Sequence, residues 1–237
     1  MRVASSGRPV AAVVDSSAPP SLALPRTRDA LVVLVLGIAG FTSLMVLVRQ
    51  RRLQAMDLAI TMRLQAIHHT VLVRLMAFVS WFGFPPQSRL LPPLAIALMW
   101  LARFRLEAVL QATAWGSALI STVIKWFMRR PRPVAGKDLR VIAAELGGTS
   151  FPSGHVLTYV GTYGWLAIAA NILIRPRGPR RLAVAGLAFL IATVGPSRIY
   201  LGHHWPTDVL ASYLLGSSYL AALIVVYRRL IARRSFR

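Results

Sequence analysis

Residues 30–48 read ALVVLVLGIAGFTSLMVLV, nineteen positions without a charge. Wound as an α-helix, the run is roughly 28 Å long, close to the hydrocarbon thickness of a bilayer. Backbone groups find no water at that depth, so the run must pair them internally as a helix. Further apolar runs follow at residues 90–102, 106–128, 156–174, 182–194 and 206–227. The chain is 56% hydrophobic with mean hydropathy +0.58, too apolar for an ordinary soluble domain. The expected fold class is all-α, a polytopic bundle of six transmembrane helices.

In chain order, residues 1–29 read as a disordered, basic cytoplasmic tail without a cleavable signal pattern. Residues 30–227 form the six-span domain, with the fifth span extendable to Ser197. Between the first two spans, residues 57–67 read as a helix on the surface. Residues 72–84 read as an interfacial or re-entrant helix, with Trp81 at headgroup level and Phe84-Pro85-Pro86 as its breaker. Arg103 and Arg105 mark a short turn. Residues 129–155 form a polar loop, 175–181 a basic turn, and 228–237 a basic cytoplasmic tail. No internal repeat is visible.

Charge sets the orientation. Lys and Arg number 28 against 7 Asp and Glu, a net +21. The basic residues mostly flank apolar runs, which fits anionic headgroups or a phosphate-bearing substrate better than nucleic acid. Short basic turns and tails belong on the cytoplasmic side. Both chain ends are therefore expected inside, and the loops at 129–155 and 197–208 open outward, at the outer face of the plasma membrane. There is no cysteine, hence no disulfide framework and no thiolate metal site.

Three polar clusters fall on that outer side. The first runs from Lys125 through Arg129, Arg130 and Arg132 to Pro133. The second is Phe151-Pro-Ser-Gly-His155, at the start of an uncharged helix. The third is residues 197–208, SRIYLGHHWPTD. Singly, each reads two ways. The cations suit a helix C-terminus and headgroups, or they clamp phosphate oxygens. Ser153 caps a helix beside a surface histidine, or it joins Gly154 and the free N–H groups of the helix end in an anion site. Pro206 is a good first helical residue. Asp208 then either caps that helix or accepts from one nitrogen of His204, leaving the other as base or nucleophile. Together the clusters supply what phosphoryl transfer needs: cations for the oxygens, a nucleophile and an acid.

These residues carry a resemblance. Lys125 to Pro133 matches K-x6-RP, residues 152–155 are PSGH, and residues 197–208 match SR-x5-H-x3-D. The chain resembles the type 2 phosphatidic acid phosphatase superfamily, which includes glucose-6-phosphatase, bacterial acid phosphatases and vanadium haloperoxidases. The motifs cover residues 125–208, and surface helices after the first span also fit that family. The resemblance implies that His204 is the nucleophile and forms a phosphohistidine. Asp208 orients it, and His155 protonates the leaving oxygen and then activates water. Lys125, Arg132, Ser153, Gly154 and Arg198 hold the phosphoryl oxygens. No metal or other cofactor is implied; Asp138 and Glu145 are the only acids of the central loop and make no carboxylate cage. His203 is off register and is left as a structural or substrate contact. Arg129 and Arg130 touch either a second phosphate or headgroups. Ser212 stands where the family often has glycine.

The six-span form implies a lipid phosphate as substrate, with its tail left in the bilayer. An outward site favours a polyprenyl diphosphate such as undecaprenyl diphosphate; phosphatidate and phosphatidylglycerophosphate are the alternatives. A haloperoxidase would need bound vanadate, which nothing in the sequence requires. A non-enzyme that binds or transports lipid phosphates would show a missing nucleophile, and both histidines are present. A basic nucleic-acid-binding or membrane-structural protein would show a soluble basic domain, and none is visible. No nucleic-acid partner is expected, and the oligomeric state is not encoded legibly.

Overall fold

The computed structural model describes residues 24–136, 139–142 and 146–234. The expected N-terminal tail lies almost entirely outside the described residues, as do Asp138 and Glu145. The described residues form helices α1 Thr27–Arg49, α2 Gln54–Gln65, α3 Thr70–Trp81, α4 Gln87–Leu101, α5 Arg105–Trp115 and α6 Ser117–Met128. They continue with α7 Gly154–Leu173, α8 Arg177–Tyr200 and α9 Pro206–Arg234, and no strand occurs among them. Four helices, α1, α7, α8 and α9, are long and apolar enough to cross a membrane. Large apolar side chains such as Val35, Leu36, Leu98, Leu119, Val123 and Leu182 face outward, as they do where the surroundings are lipid.

α1 and α9 pack antiparallel along their length. Gly37 makes this possible, because a Cβ there would collide with the Ser218 side chain and lie 2.9 Å from the Leu214 carbonyl. At the far end Arg228 Nε donates to Thr27 Oγ1 at 3.2 Å. The start of α1 and the end of α9 therefore share one face. Residues 228–234, expected as tail, continue the α9 helix. The C-terminal ends of α1, α6 and α8 and the N-terminal ends of α7 and α9 lie on the opposite face.

Three expected helices differ in detail. The run at 106–128 is not one helix but two, meeting at Gly116, where the glycine weakens the helix. The expected helix from residue 156 contains a π-helical turn, Tyr159–Tyr163, between Gly154–Thr158 and Gly164–Leu173. The two irregularities touch: a Cβ on Gly161 would sit 2.5 Å from Ser117 Oγ and 2.8 Å from the Ala114 carbonyl. Helix α8 is longer than expected. It begins at Arg177 inside the expected basic turn and passes Pro196 to Tyr200. Pro196 has no N–H, so the Ala192 carbonyl loses its helical donor. The Tyr213 hydroxyl from α9 lies 3.2 Å from that carbonyl and 2.6 Å from the Ile191 carbonyl. It also accepts the Gly195 N–H at 3.0 Å. A side chain thus repairs the backbone, and the helix continues far enough to carry Arg198.

The helices between the first two expected spans also form. α2 and α3 match the expected surface and interfacial helices in position. Tyr200 Oη donates to the Ile67 carbonyl at 2.7 Å, and Gln65 Nε2 donates to the Tyr200 carbonyl at 3.0 Å. These bonds pin the α2–α3 hairpin onto the end of α8.

Candidate active site

All eight candidate residues named from the sequence lie at the end of the bundle opposite the start of α1 and the end of α9. Lys125 is in the last turn of α6, and Arg132 in the loop after it. Ser153, Gly154 and His155 open α7, Arg198 lies near the end of α8, and Asp208 is in the first turn of α9. His204 sits in the turn between α8 and α9. Loop 130–132 is fixed by short polar contacts. Ser150 N donates to the Arg130 carbonyl at 2.8 Å, and Trp205 Nε1 donates to the Pro131 carbonyl at 3.0 Å.

His204 is buried, and its two ring nitrogens face different partners. Nε2 lies 3.1 Å from Arg132 Nη1, which also donates to the His203 carbonyl at 2.7 Å. A guanidinium has only donors, so Nε2 must offer its lone pair and the ring proton belongs on Nδ1. Nδ1 points to Asp208 Oδ2 at 3.6 Å, too long for a hydrogen bond. The hydrogen bond expected from the sequence is therefore not formed. Asp208 Oδ2 instead accepts the Trp205 N–H at 2.9 Å, and Oδ1 accepts from Arg130 at 2.5 Å. Asp208 thus caps α9 while facing the imidazole, so of the two sequence readings the cap is the one formed. Burial, and then the positive charges of Arg198, Arg132 and Lys125, push the His204 pKa well below the ordinary 6.5. The ring is neutral at neutral pH.

Around His204 lie polar atoms without partners. Arg198 is fully buried; its Nη1 donates to Ser80 Oγ, but Nε and Nη2 bond to nothing among the described residues. Ser153 stands at the N-cap of α7, yet its Oγ makes no capping bond and is also unpaired. Its N–H donates to the Asp208 carbonyl at 3.4 Å. His155 Nε2 is buried and unpaired. Lys125 Nζ donates to the Thr149 carbonyl at 2.8 Å and keeps further donor capacity. Buried, unpaired guanidinium nitrogens are costly. Their convergence with a serine hydroxyl and two imidazoles is suited to a tetrahedral oxyanion.

Several residues of the site escaped the sequence reading. Asp57, on α2, is buried and accepts from Arg130 Nη2 at 2.5 Å, from Thr207 Oγ1 at 2.7 Å and from Thr207 N at 2.9 Å. Arg130 therefore spans Asp57 and Asp208. The available signal was Asp57 itself, one of only seven acids in the chain. The turn after α3 supplies the rest. The Phe84 ring lies 4.6 Å from the His155 ring, 6.2 Å from the His203 ring and 5.0 Å from the Arg198 guanidinium carbon. Gly83 lets the His155 ring approach, since a Cβ there would overlap the imidazole. The π turn holds this turn in place: Tyr159 Oη donates to the Val79 carbonyl at 2.6 Å and Tyr163 Oη to the Phe82 carbonyl at 3.4 Å. Ser212, the departure from glycine, donates to the Asp208 carbonyl at 2.7 Å.

A bundle of apolar helices with this cluster at one end defines a membrane-embedded enzyme of phosphate chemistry, and the comparisons give its family. The chain belongs to the PAP2 superfamily, whose profile matches residues 106–232. It is a phosphatase, as its relatives are. It is 32% identical over 150 residues to undecaprenyl-diphosphatase BcrC of Bacillus subtilis, covering 62% of this chain and 71% of that protein. It is 30% identical over 180 residues to phosphatidylglycerophosphatase B of the same organism, covering 74% and 85%. The fold matches the crystal structure of a transmembrane PAP2-type phosphatidylglycerolphosphate phosphatase from Bacillus subtilis. The TM-score is 0.72 and the identity 26%, over 84% of this chain and 96% of that one. These relatives make this chain a membrane lipid phosphatase.

The Gly83 contact yields a test. Gly83→Ala is expected to push the His155 ring aside and lower kcat by about 10- to 100-fold, the scale of a misplacement near 1 Å. The melting temperature in detergent should change little. Wild-type kcat in this variant would remove the turn from the account of the site.

Proposed function

We propose that this chain is a six-span, metal-independent phosphatase that hydrolyses a polyprenyl diphosphate, such as undecaprenyl diphosphate, through a phosphohistidine on His204. One observation carries the reading: buried polar atoms of Arg198, Ser153 and His155 that have no partner among the described residues lie at the same end of the bundle as a neutral imidazole, whose Nε2 lone pair faces the Arg132 guanidinium. In this reading α4 and the bent pair α5–α6 supply the two spans beyond the four long ones. The arginines at the end of α9 favour the cytoplasm for that face, which leaves the catalytic face outside the plasma membrane.

The proposed steps balance. His204 Nε2 attacks phosphorus, and the phosphorus–oxygen bond to the leaving group breaks. His155 gives a proton to the leaving oxygen. Lys125, Arg132, Arg198, Ser153 and the Gly154 end of α7 hold the other oxygens. Asp208 takes up the growing positive charge on His204, and its 3.6 Å separation closes to a hydrogen bond as that charge appears. Water, relieved of a proton by His155, then attacks phosphorus, inorganic phosphate leaves, and His204 is restored. The chain's own residues carry every step, so no metal or other cofactor is needed.

A cavity of about 240 Å³ opens beside His155 and is lined by Gly83, Ser88, Arg89, Trp115 and Thr158 among others. Because it borders His155, the proposed acid, it would receive the leaving group. Arg89 there suits a leaving group that is itself a phosphate, which favours a diphosphate over phosphatidate. Similarity to phosphatidylglycerophosphatase B supports the second reading, phosphatidylglycerophosphate.

Two measurements test this. Protein quenched in alkaline SDS while turning over a substrate ³²P-labelled in its terminal phosphate should carry label that is stable to base and lost on later treatment with acid. His204→Ala should carry none, and label that persists in His204→Ala contradicts the mechanism. For the substrate, Arg89→Gln should lower kcat/KM for polyprenyl diphosphate by about tenfold or more, the scale of a charge-assisted hydrogen bond, and leave phosphatidate nearly unchanged. Equal losses on both substrates would contradict a leaving-group role for Arg89, and with it the preference for a diphosphate.

A further inference from the structure

A second cavity, of about 450 Å³, lies where the ends of α1 and α6 meet the start of α2. Four arginines line it: Arg49, Arg51, Arg129 and Arg130. Gln54, Asp57 and Trp205 add to its polar wall, and much of the rest is apolar. None of Lys125, His155, Arg198 and His204 lines it, so it is separate from the proposed phosphoryl pocket. The two share a wall, because Arg130 reaches Asp208 with one nitrogen and Asp57 with the other.

The charges there are not balanced. Asp57 is taken by Arg130 and Thr207. Among the described residues, Arg49, Arg51 and Arg129 form no ion pair with an acid. Backbone conformation adds a second observation. Arg51 and Arg129 have φ of 59° and 44°, in the left-handed region, each just past a helix end. Glycine is the unstrained residue at such a position. The chain keeps arginine at both, at a conformational cost, where their side chains line one cavity. Arg103 has the same conformation away from this cavity, so strain alone does not carry the argument. Convergence of the cations on a partly apolar cavity does.

We propose that this cavity is a second anion site that binds a phosphate-bearing group distinct from the one being hydrolysed. Guanidinium groups at several angles match phosphate oxygens. The apolar walls suit the glycerol and first methylenes of an anionic phospholipid, while the charges alone would suit inorganic phosphate. The shared chemistry is a phosphate, and the experiment separates the two sources.

Full-length wild-type protein in a non-ionic detergent would be titrated with dioctanoyl phosphatidylglycerol, a phosphodiester that offers no terminal phosphate to hydrolyse. Inorganic phosphate would be titrated in parallel, with binding read by native mass spectrometry. Saturable binding of the lipid alone identifies a headgroup site; binding of both, with phosphate binding that survives in Arg198→Gln, identifies a phosphate site. In either case Arg51→Gly with Arg129→Gly should weaken binding at least tenfold. The melting temperature of that double variant should equal or exceed that of the wild type, because glycine relieves both left-handed positions. Arg51→Lys with Arg129→Lys should keep most of the binding, and Arg198→Gln should leave lipid binding unchanged. Undiminished binding in the glycine variant, binding lost in Arg198→Gln, or no saturable binding of either probe would overturn the proposal.

Discussion

One guanidinium organises the polar end of this protein, where the candidate site lies. Arg130 is almost buried and is shared between two fully buried carboxylates, Asp57 and Asp208. Removing one partner from such a network costs about 3–5 kcal/mol, because it strands charge away from water. The arrangement therefore locks three distant pieces of chain together: α2, the loop after α6 and the start of α9. It also fixes Asp208 with its second oxygen on the Trp205 N–H and its face toward His204. The negative charge of this network stands against the cations of Lys125, Arg132 and Arg198. Those cations can then converge without acids of their own and remain available to an anion.

The middle of the bundle works toward the same end. A bend at Gly116 and a π turn at Tyr159–Tyr163 meet across Gly161. Such turns are found mostly at functional sites. Here the π turn aims two tyrosine hydroxyls at the carbonyls of Val79 and Phe82. That anchors the turn carrying Ser80, Gly83 and Phe84, which touch Arg198 and His155. The irregular turn in the helix that carries His155 thus positions the residues packed against that ring.

Much of this was legible in the sequence because spans and motifs obey local rules. Charge-free runs announced α1 and α7, and Pro206 marked the first residue of α9. Lys125, Arg132, Ser153, His155, Arg198, His204 and Asp208 stand in three polar clusters visible in the sequence, with roles implied by the family resemblance, and all fall at one end of the bundle. What was not legible depends on pairing across the chain. Asp57 looks like an ordinary acid in a helix until Arg130, 73 residues away, is brought to it. Gly83 gains meaning only when the His155 ring lies against it. The extension of α8 past Pro196 needs a hydroxyl from Tyr213 on another helix, so no local rule could foresee that Arg198 is helical.

The central claim is that this cluster of cations and two imidazoles cleaves lipid phosphates by itself. The most direct measurement is phosphate release by purified protein in detergent, with EDTA present, from a polyprenyl diphosphate and from phosphatidate, for wild type and His204→Ala. The account predicts release that survives EDTA, vanishes in the variant and is faster from the diphosphate. Release that requires an added metal, or that persists without His204, would contradict it.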